Sequence, residues 1–433
     1  MQSRQERQRK KRNTERIILV VGSLILLVGI AVLLYQIPAI QTRLDWRIET
    51  ARVFVRSLAK PIQDVPTAMN SPVVEVTRQT ATPLTPTTTA ANSTPTATPS
   101  APAADTLTPS ASPTRLAAQV QLEAPPFEGQ DWNNCGPVSL SMYLNYYGWD
   151  GDQYDISDQV KPMRNDRNVN IDELIDYVYQ NIWWLKAIYR VDGSVDLLRS
   201  LINAGYPVMV EESMYMEEEY WFNDDRWAGH YLLITGYDDV HQVFITQDSF
   251  VGPNRQVSYA DLDANWQAFN RVYLLLYPPE QEETIKTLLG PAWDVERNRQ
   301  QALETAQYET QNDPDNPLAW FNLGSNQVYF ERYTQAAAAY DQARELDLPQ
   351  RMLRYQFGPF LAYFHAGRID ELLALADYAL TVTPNSEEAL LWKGWALYRL
   401  NRKAEALSAF QEALELHPNY GDAQYAINFV QGQ

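Results

Sequence analysis

The chain has 433 residues, enough for two or three domains, and carries a formal net charge of −19 with a single cysteine. That acidity excludes nucleic acid as a partner, because a phosphate backbone needs a basic face. A lone cysteine excludes an intrachain disulfide framework.

The charge is unevenly placed. Arg4, Arg7, Arg9, Lys10, Lys11, Arg12 and Arg16 make residues 1–16 a basic tip. Residues 17–35 are apolar apart from Ser23, Gly22 and Gly29. At about 1.5 Å per residue they just span a hydrocarbon core of roughly 30 Å. The basic flank comes first, which predicts a single-pass transmembrane helix in the cell membrane, a cytoplasmic N-terminus and extracytoplasmic C-terminal domains. The apolar run is too long for the core of a cleaved signal, and no Ala-x-Ala site follows it. In residues 36–58, Ile37, Ile40, Leu44, Ile48, Ala51 and Val55 recur every three or four positions, which predicts a juxtamembrane helix. Residues 59–116 turn to Pro, Thr, Ala and Ser, which cannot bury a core and predict a disordered tether.

Residues 117–279 read as an α+β domain. Helices are expected at 137–147, 153–160, 171–180 (Asn170 and Glu173 forming a capping box), 195–204 behind Ser194, and 260–268 behind Ser258. Strands are expected at 207–211, 231–237, 243–248 and 271–277.

Cys135 stands just before a helix opened by Gly136-Pro137, where the positive end of the helix dipole favours thiolate over thiol. Two further segments bear chemistry: Gly229-His230-Tyr231 opening one strand, and Asp248 ending the next. If Tyr237 and His241 flank a three-residue turn, His230 falls directly opposite Asp248, with Cβ atoms roughly 5 Å apart. A thiol nucleophile needs an imidazole to take its proton and a carboxylate to fix that imidazole's tautomer. The same register places His241 at the turn, as a surface residue.

Gln130, four residues, Cys135-Gly136-Pro137, then Gly229-His230-Tyr231 and Asp248 together resemble the papain-like bacteriocin-leader peptidases, the thirty-ninth cysteine-peptidase family. The resemblance covers roughly residues 120–278. It implies a papain-like fold with Cys135 as nucleophile, His230 as general base and Asp248 orienting it. It also implies that the Gln130 amide joins the Cys135 backbone N–H in an oxyanion hole. Where leader peptidases often carry an acid before the cysteine, this chain has Asn134, and it contains no Walker-A sequence.

Between the strand at 207–211 and His230 runs an acidic, aromatic loop from Glu211 to Trp227. It reads either as a lid or subsite at the rim of the site, or as a solvated acidic face over packed aromatics. It lacks the alternating acids and Gly of a calcium loop, and no metal or cofactor is expected.

Residues 280–433 repeat. Pro279, Pro314, Pro349, Pro384 and Pro418 stand at intervals of 35, 35, 35 and 34 residues, the period of tetratricopeptide repeats. Gly324 and Gly394, with Ala336, Ala343, Ala406 and Ala413, read as small residues that let paired helices approach closely, while Trp, Tyr and Phe fill the gaps between neighbouring pairs. The unit at 280–314 fits least well, and residues 420–430 read as a capping helix. Such an array offers a surface to a protein or peptide partner. The whole therefore reads as a membrane-anchored, extracytoplasmic cysteine peptidase acting on peptides or proteins. A catalytically silent peptide-binding module and a transamidase using the same triad are the alternatives.

Overall fold

A computed structural model describes residues 4–69, 116–161, 163 and 168–432. Most of the expected tether lies outside the described residues. In chain order the helices and strands are α1 (Arg4–Tyr35), α2 (Pro38–Ala59), β1 (Gln119–Gln121), α3 (Cys135–Tyr146), α4 (Gln153–Val160), α5 (Ile171–Asn181), β2 (Lys186–Arg190) and α6 (Val195–Asn203). They continue as β3 (Val208–Tyr215), β4 (Trp227–Asp238), β5 (Val243–Asp248), β6 (Gly252–Ser258), α7 (Tyr259–Trp266), β7 (Tyr273–Tyr277) and α8 (Glu282–Leu289). The repeats follow as α9 (Val295–Asn312), α10 (Pro317–Tyr329), α11 (Tyr333–Glu345), α12 (Met352–Tyr355), α13 (Gly358–His365), α14 (Ile369–Val382), α15 (Glu387–Arg399), α16 (Lys403–Leu416) and α17 (Gly421–Gly432).

These elements fall into two units. One comprises the chain up to Asp64 with Met214–Ala228 and Pro349–Met352; the other holds everything else. In the smaller unit, α1 contains the one stretch among the described residues long and apolar enough to cross a membrane, Ile18–Tyr35. The helix breaks after Tyr35, and Pro38 opens α2 in its first turn, where a missing N–H costs nothing. Trp221 is buried beneath Arg351, whose guanidinium lies 3.8 Å from the ring centroid. The same guanidinium pairs with buried Asp224, and the Trp221 indole donates to Gln350 at 2.8 Å. Glu217, Glu218 and Glu219 remain exposed. Of the expected loop, residues 211–215 instead continue β3 with Glu211 and Glu212 buried, and only Glu217, Glu218 and Glu219 form a solvated carboxylate face beside the anchored Trp221.

In the larger unit the strands form one seven-stranded sheet in the order β2-β7-β3-β4-β5-β6, with β1 paired to β4. Alternation along the strands divides two cores. Tyr231 and Leu233 of β4, with Leu274 and Leu276 of β7, pack against Leu140, Leu174 and Val178 of α3 and α5. Leu232, Ile234, Tyr273 and Leu275 pack against Leu198, Leu201, Trp266 and Ile285 on the other face. Each fully buried side chain of this size contributes roughly 1.5–3 kcal/mol.

The capping box at Asn170/Glu173 and the caps at Ser194 and Ser258 form as the sequence predicts. Strands β1, β2 and β6 were not expected. The hairpin register also differs from the expected one. Asp238 pairs with Val243, the loop has four residues, and a bulge between Ile234 and Gly236 shifts the pairing so that Leu233 faces Gln247. The cause is Asp238, whose carboxylate accepts from the N–H groups of Val240 and His241 and from the exposed His241 ring, closing a wider turn than three residues allow.

The repeats pack as the period implies. A Cβ on Gly324 would lie 2.7 Å from the Tyr340 ring, and one on Gly394 would lie 2.3 Å from Phe410. Gly290, by contrast, caps α8 with φ +53° and separates no helix pair. Buried asparagines join the repeats to the sheet domain. Asn298 exchanges hydrogen bonds with the Val191 backbone at 2.8 and 3.1 Å, and Asn322 donates to the Gln267 carbonyl at 2.8 Å.

Candidate active site

α3 begins at Cys135 itself, two residues earlier than expected, so the thiol occupies the first helical turn. The preceding loop is braced from several sides. Asn133 adopts φ +55°, a left-handed conformation that asparagine tolerates well. The buried Lys161 ammonium donates to the carbonyls of Trp132 and Asn133 at 3.1 Å each. Gln153 accepts from the Asp131 N–H at 2.8 Å and from the Asn134 amide at 2.9 Å, and donates to Glu128 at 2.8 Å. The Ser141 hydroxyl returns from α3 to the other Glu128 oxygen at 2.8 Å. α3 packs on β4 at Gly136, where a Cβ would meet the Tyr231 ring at an ordinary contact distance of 3.4 Å.

His230 is buried at the start of β4, and its Nε2 lies 2.9 Å from Asp248 Oδ1. Continuing the Leu233–Gln247 pairing by one residue sets Asp248 across from Leu232. His230 therefore reaches the carboxylate as a diagonal neighbour, within range of a long side chain. The same imidazole acts electrostatically on the buried Cys135 thiol, as does the Tyr231 backbone N–H. Asp248 is held on every side: Oδ1 also accepts from the N–H groups of Phe250 at 2.9 Å and Val251 at 3.1 Å, and Oδ2 pairs with Arg255 at 2.5 Å. Cys135, His230 and Asp248 thus form one connected chain of side chains.

Gln130 joins this chain from the far end. Its N–H donates to the Ser249 carbonyl at 3.0 Å, and its side-chain oxygen accepts from the Ser249 hydroxyl at 2.9 Å. With the oxygen engaged, the amide's N–H₂ end is the end left to donate elsewhere.

The electrostatics favour a thiolate–imidazolium pair. Burial disfavours the imidazolium, but donation to Asp248 and the negative charges of Asp248 and the Cys135 thiolate outweigh it and raise His230 from 6.5 to about 10. Burial alone would push the thiol up; the hydrogen bond and charge of His230, the Tyr231 N–H and the Lys161 ammonium together bring Cys135 below its ordinary value. Burial would likewise raise Asp248, yet His230 and the two N–H donors hold it well below the usual carboxylate range. Two further carboxyls face the site. Burial pushes Glu211 well up despite its hydrogen bond to Tyr231, and it raises Glu212 to about 7 against the opposing charges of His230 and Arg255. Among the described residues no group of three or more His, Cys, Asp or Glu is placed to hold a metal ion.

Sequence reasoning missed Arg255, Lys161 and Gln153. Arg255 sits on β6, opposite Thr246. That strand is hidden in the sequence by Gly252-Pro253-Asn254, and the turn glycine at φ +146° was its one signal. Lys161 and Gln153 carried none, because each acts on a loop distant in sequence.

Comparison with known proteins agrees with this architecture. Residues 115–274 match the Peptidase_C39 like family, and residues 387–420 match the tetratricopeptide repeat. The middle of the chain has a C39-like peptidase fold, and the C-terminal region is a helical repeat array. Among solved structures, a putative C39-like peptidase from Bacillus anthracis is 17% identical, with a TM-score of 0.30 over 37% of this chain and 97% of that one. A double-glycine-motif protease from an AMS/PCAT transporter, in complex with its leader peptide, is 16% identical, with a TM-score of 0.27 over 37% and 94%. Among curated proteins, the cytochrome c-type biogenesis protein CycH of Pseudomonas aeruginosa is 32% identical over 119 residues, 27% of this chain and 29% of that protein. The mouse protein O-mannosyl-transferase TMTC3 is 26% identical over 33% of this chain and 17% of its own length. The chain thus spans less than a third of these curated relatives.

Proposed function

We propose that residues 117–279 are a thiol-dependent peptidase, anchored to the cell membrane through residues 17–35 with its working domains extracytoplasmic. In this reading the Cys135 thiolate attacks a peptide carbonyl carbon. The oxyanion is held by the Gln130 amide and the Cys135 backbone N–H, donors aimed at the charge that develops in the transition state. The His230 imidazolium gives its proton to the departing amine, leaving a thioester and neutral imidazole. Water then loses a proton to His230 as it attacks the thioester, and the thiolate and imidazolium are restored. Asp248, locked by Arg255 and two backbone N–H groups, keeps the imidazole oriented throughout. The repeats at 280–433 serve to bind a protein or peptide partner.

One observation carries this reading: a buried imidazole stands between the chain's only thiol and a carboxylate already held by Arg255 and two backbone N–H groups. An electrophilic thiol probe applied to the full-length protein at neutral pH tests it. Labelling is expected in the wild type, absent in Cys135→Ala and strongly slowed in His230→Ala. Labelling that ignores His230→Ala defeats the reading. Comparing the exported peptides of cells carrying wild type and Cys135→Ala identifies the substrates.

A further inference from the structure

The repeats contain a groove of about 1630 Å³ whose lining includes Trp320, Leu323, Gln335, Asp341 and Glu371, none of them part of the Cys135 site. Its wall holds a buried charged cluster from three helices. Arg344 of α11 donates to the Tyr363 hydroxyl at 2.8 Å and to Glu371 at 3.0 Å. Arg368 pairs with Asp341 at 2.5 Å and with Glu371 at 3.1 Å. Buried ion pairs of this kind add little to stability compared with apolar packing, so their presence asks for another use.

The unused valences of the cluster show that use. Arg344 Nε donates to the Pro66 carbonyl at 2.7 Å, and its Nη2 donates to the Thr67 carbonyl at 2.9 Å. The Met69 N–H donates to Glu371 at 2.5 Å. Met69 itself lines the groove, and Val65 is buried. A guanidinium fork thus reads two successive carbonyls, and a carboxylate reads the N–H that follows them. All three contacts go to backbone. Pro66 fixes its own φ, which lowers the entropy lost when the strand is held. Taking the segment away would leave two buried donors of Arg344 unsatisfied unless something else supplies carbonyls.

We propose that this groove is a backbone-reading site for extended peptides, and that the chain's own segment Val65–Met69 is its resident ligand. The segment occupies the Arg344 and Glu371 groups of the groove wall, so another peptide is read there only after displacing it. This deepens the reading of the repeats as a peptide-binding surface and is independent of the thiol chemistry. A ligand tethered to its own site competes at an effective concentration on the order of a millimolar, so a free peptide of moderate affinity meets a substantial barrier.

The test uses a fluorescently labelled synthetic peptide of residues 64–70, titrated into the full-length protein in detergent. It is titrated in parallel into a full-length variant with residues 65–69 replaced by Gly-Ser-Gly-Ser-Gly. Binding to the variant is expected to be at least tenfold tighter, and methylating the Met69 nitrogen of the peptide should abolish it. Equal affinity for the two proteins overturns occupancy in cis while sparing the groove as a peptide site. Binding to neither overturns the site itself. Hydrogen exchange on the wild type checks the same contact without any replacement. The Met69 amide should exchange well below its free-chain rate, and unprotected exchange there also refutes the proposal.

Discussion

Asp248→Asn removes one charge from the site while keeping the shape of the side chain. The remaining amide oxygen can still accept from the N–H groups of Phe250 and Val251, so the turn that carries it should persist. What disappears is the anion facing His230 at 2.9 Å. Raising His230 from 6.5 to about 10 corresponds to about 5 kcal/mol in favour of the imidazolium, at about 1.4 kcal/mol per pH unit. Asp248 supplies this jointly with the Cys135 sulfur; the loss of even about 1.4 kcal/mol of it is a tenfold change in the ionisation equilibrium. Without the carboxylate, burial again dominates the imidazole, and the thiolate loses its counter-ion. Since Cys135 is the only thiol in the chain, the ultraviolet absorbance of thiolate reports it alone. The midpoint of that titration should move up by at least about one pH unit in Asp248→Asn. Superimposable wild-type and variant titrations below the range where tyrosines ionise would refute the account of how the thiol is activated.

Other substitutions probe other parts of the argument. Gln130→Ala should lower peptide turnover by roughly 10²–10³-fold while leaving the Cys135 thiolate titration in place, which separates oxyanion stabilisation from thiol activation. Gly394→Ala places a Cβ 2.3 Å from Phe410 and should cost about 1–3 kcal/mol in thermal unfolding, beyond the helix propensity gained. Arg351→Ala strips buried Asp224 of its cation and should destabilise the smaller unit by about 3–5 kcal/mol, seen as faster hydrogen exchange in residues 214–228. Stability should also follow pH in two directions. The raised His230 contributes fully below about pH 6.5, and that contribution fades as the pH rises towards about 10. The lowered Asp248 contributes above its ordinary 3.8 and fades as the pH falls through its depressed value. Denaturant titrations across pH should therefore show His230→Ala flattening the alkaline decline and Asp248→Asn the acid one.

Much of the site was legible before any coordinates. Cys135-Gly136-Pro137 marks a helix start, Gly229-His230 a strand start and Asp248 a strand end, and each of these is a local signal. The pairing of His230 with Asp248 was anticipated through a wrong register. A direct opposite pair was expected, whereas the wider Asp238 turn and the bulge beyond Ile234 make them diagonal neighbours. The prediction survived because a histidine side chain spans the extra distance. Arg255 could not be anticipated in the same way, since its strand gave no apolar alternation to read.

The sequence by itself determined the apolar span, the helix caps, the strands of the sheet's interior and the thirty-five-residue repeat, because backbone preference and periodic burial act between near neighbours. Tertiary structure alone decided the rest: the register of β4 on β5, the Lys161 and Gln153 brace around the thiol, and the capture of Pro66 and Thr67 by Arg344. Those contacts join polar groups far apart in the chain. Nothing in a residue's immediate neighbours states which distant carbonyl its donor will meet; only the packed backbone supplies the partner.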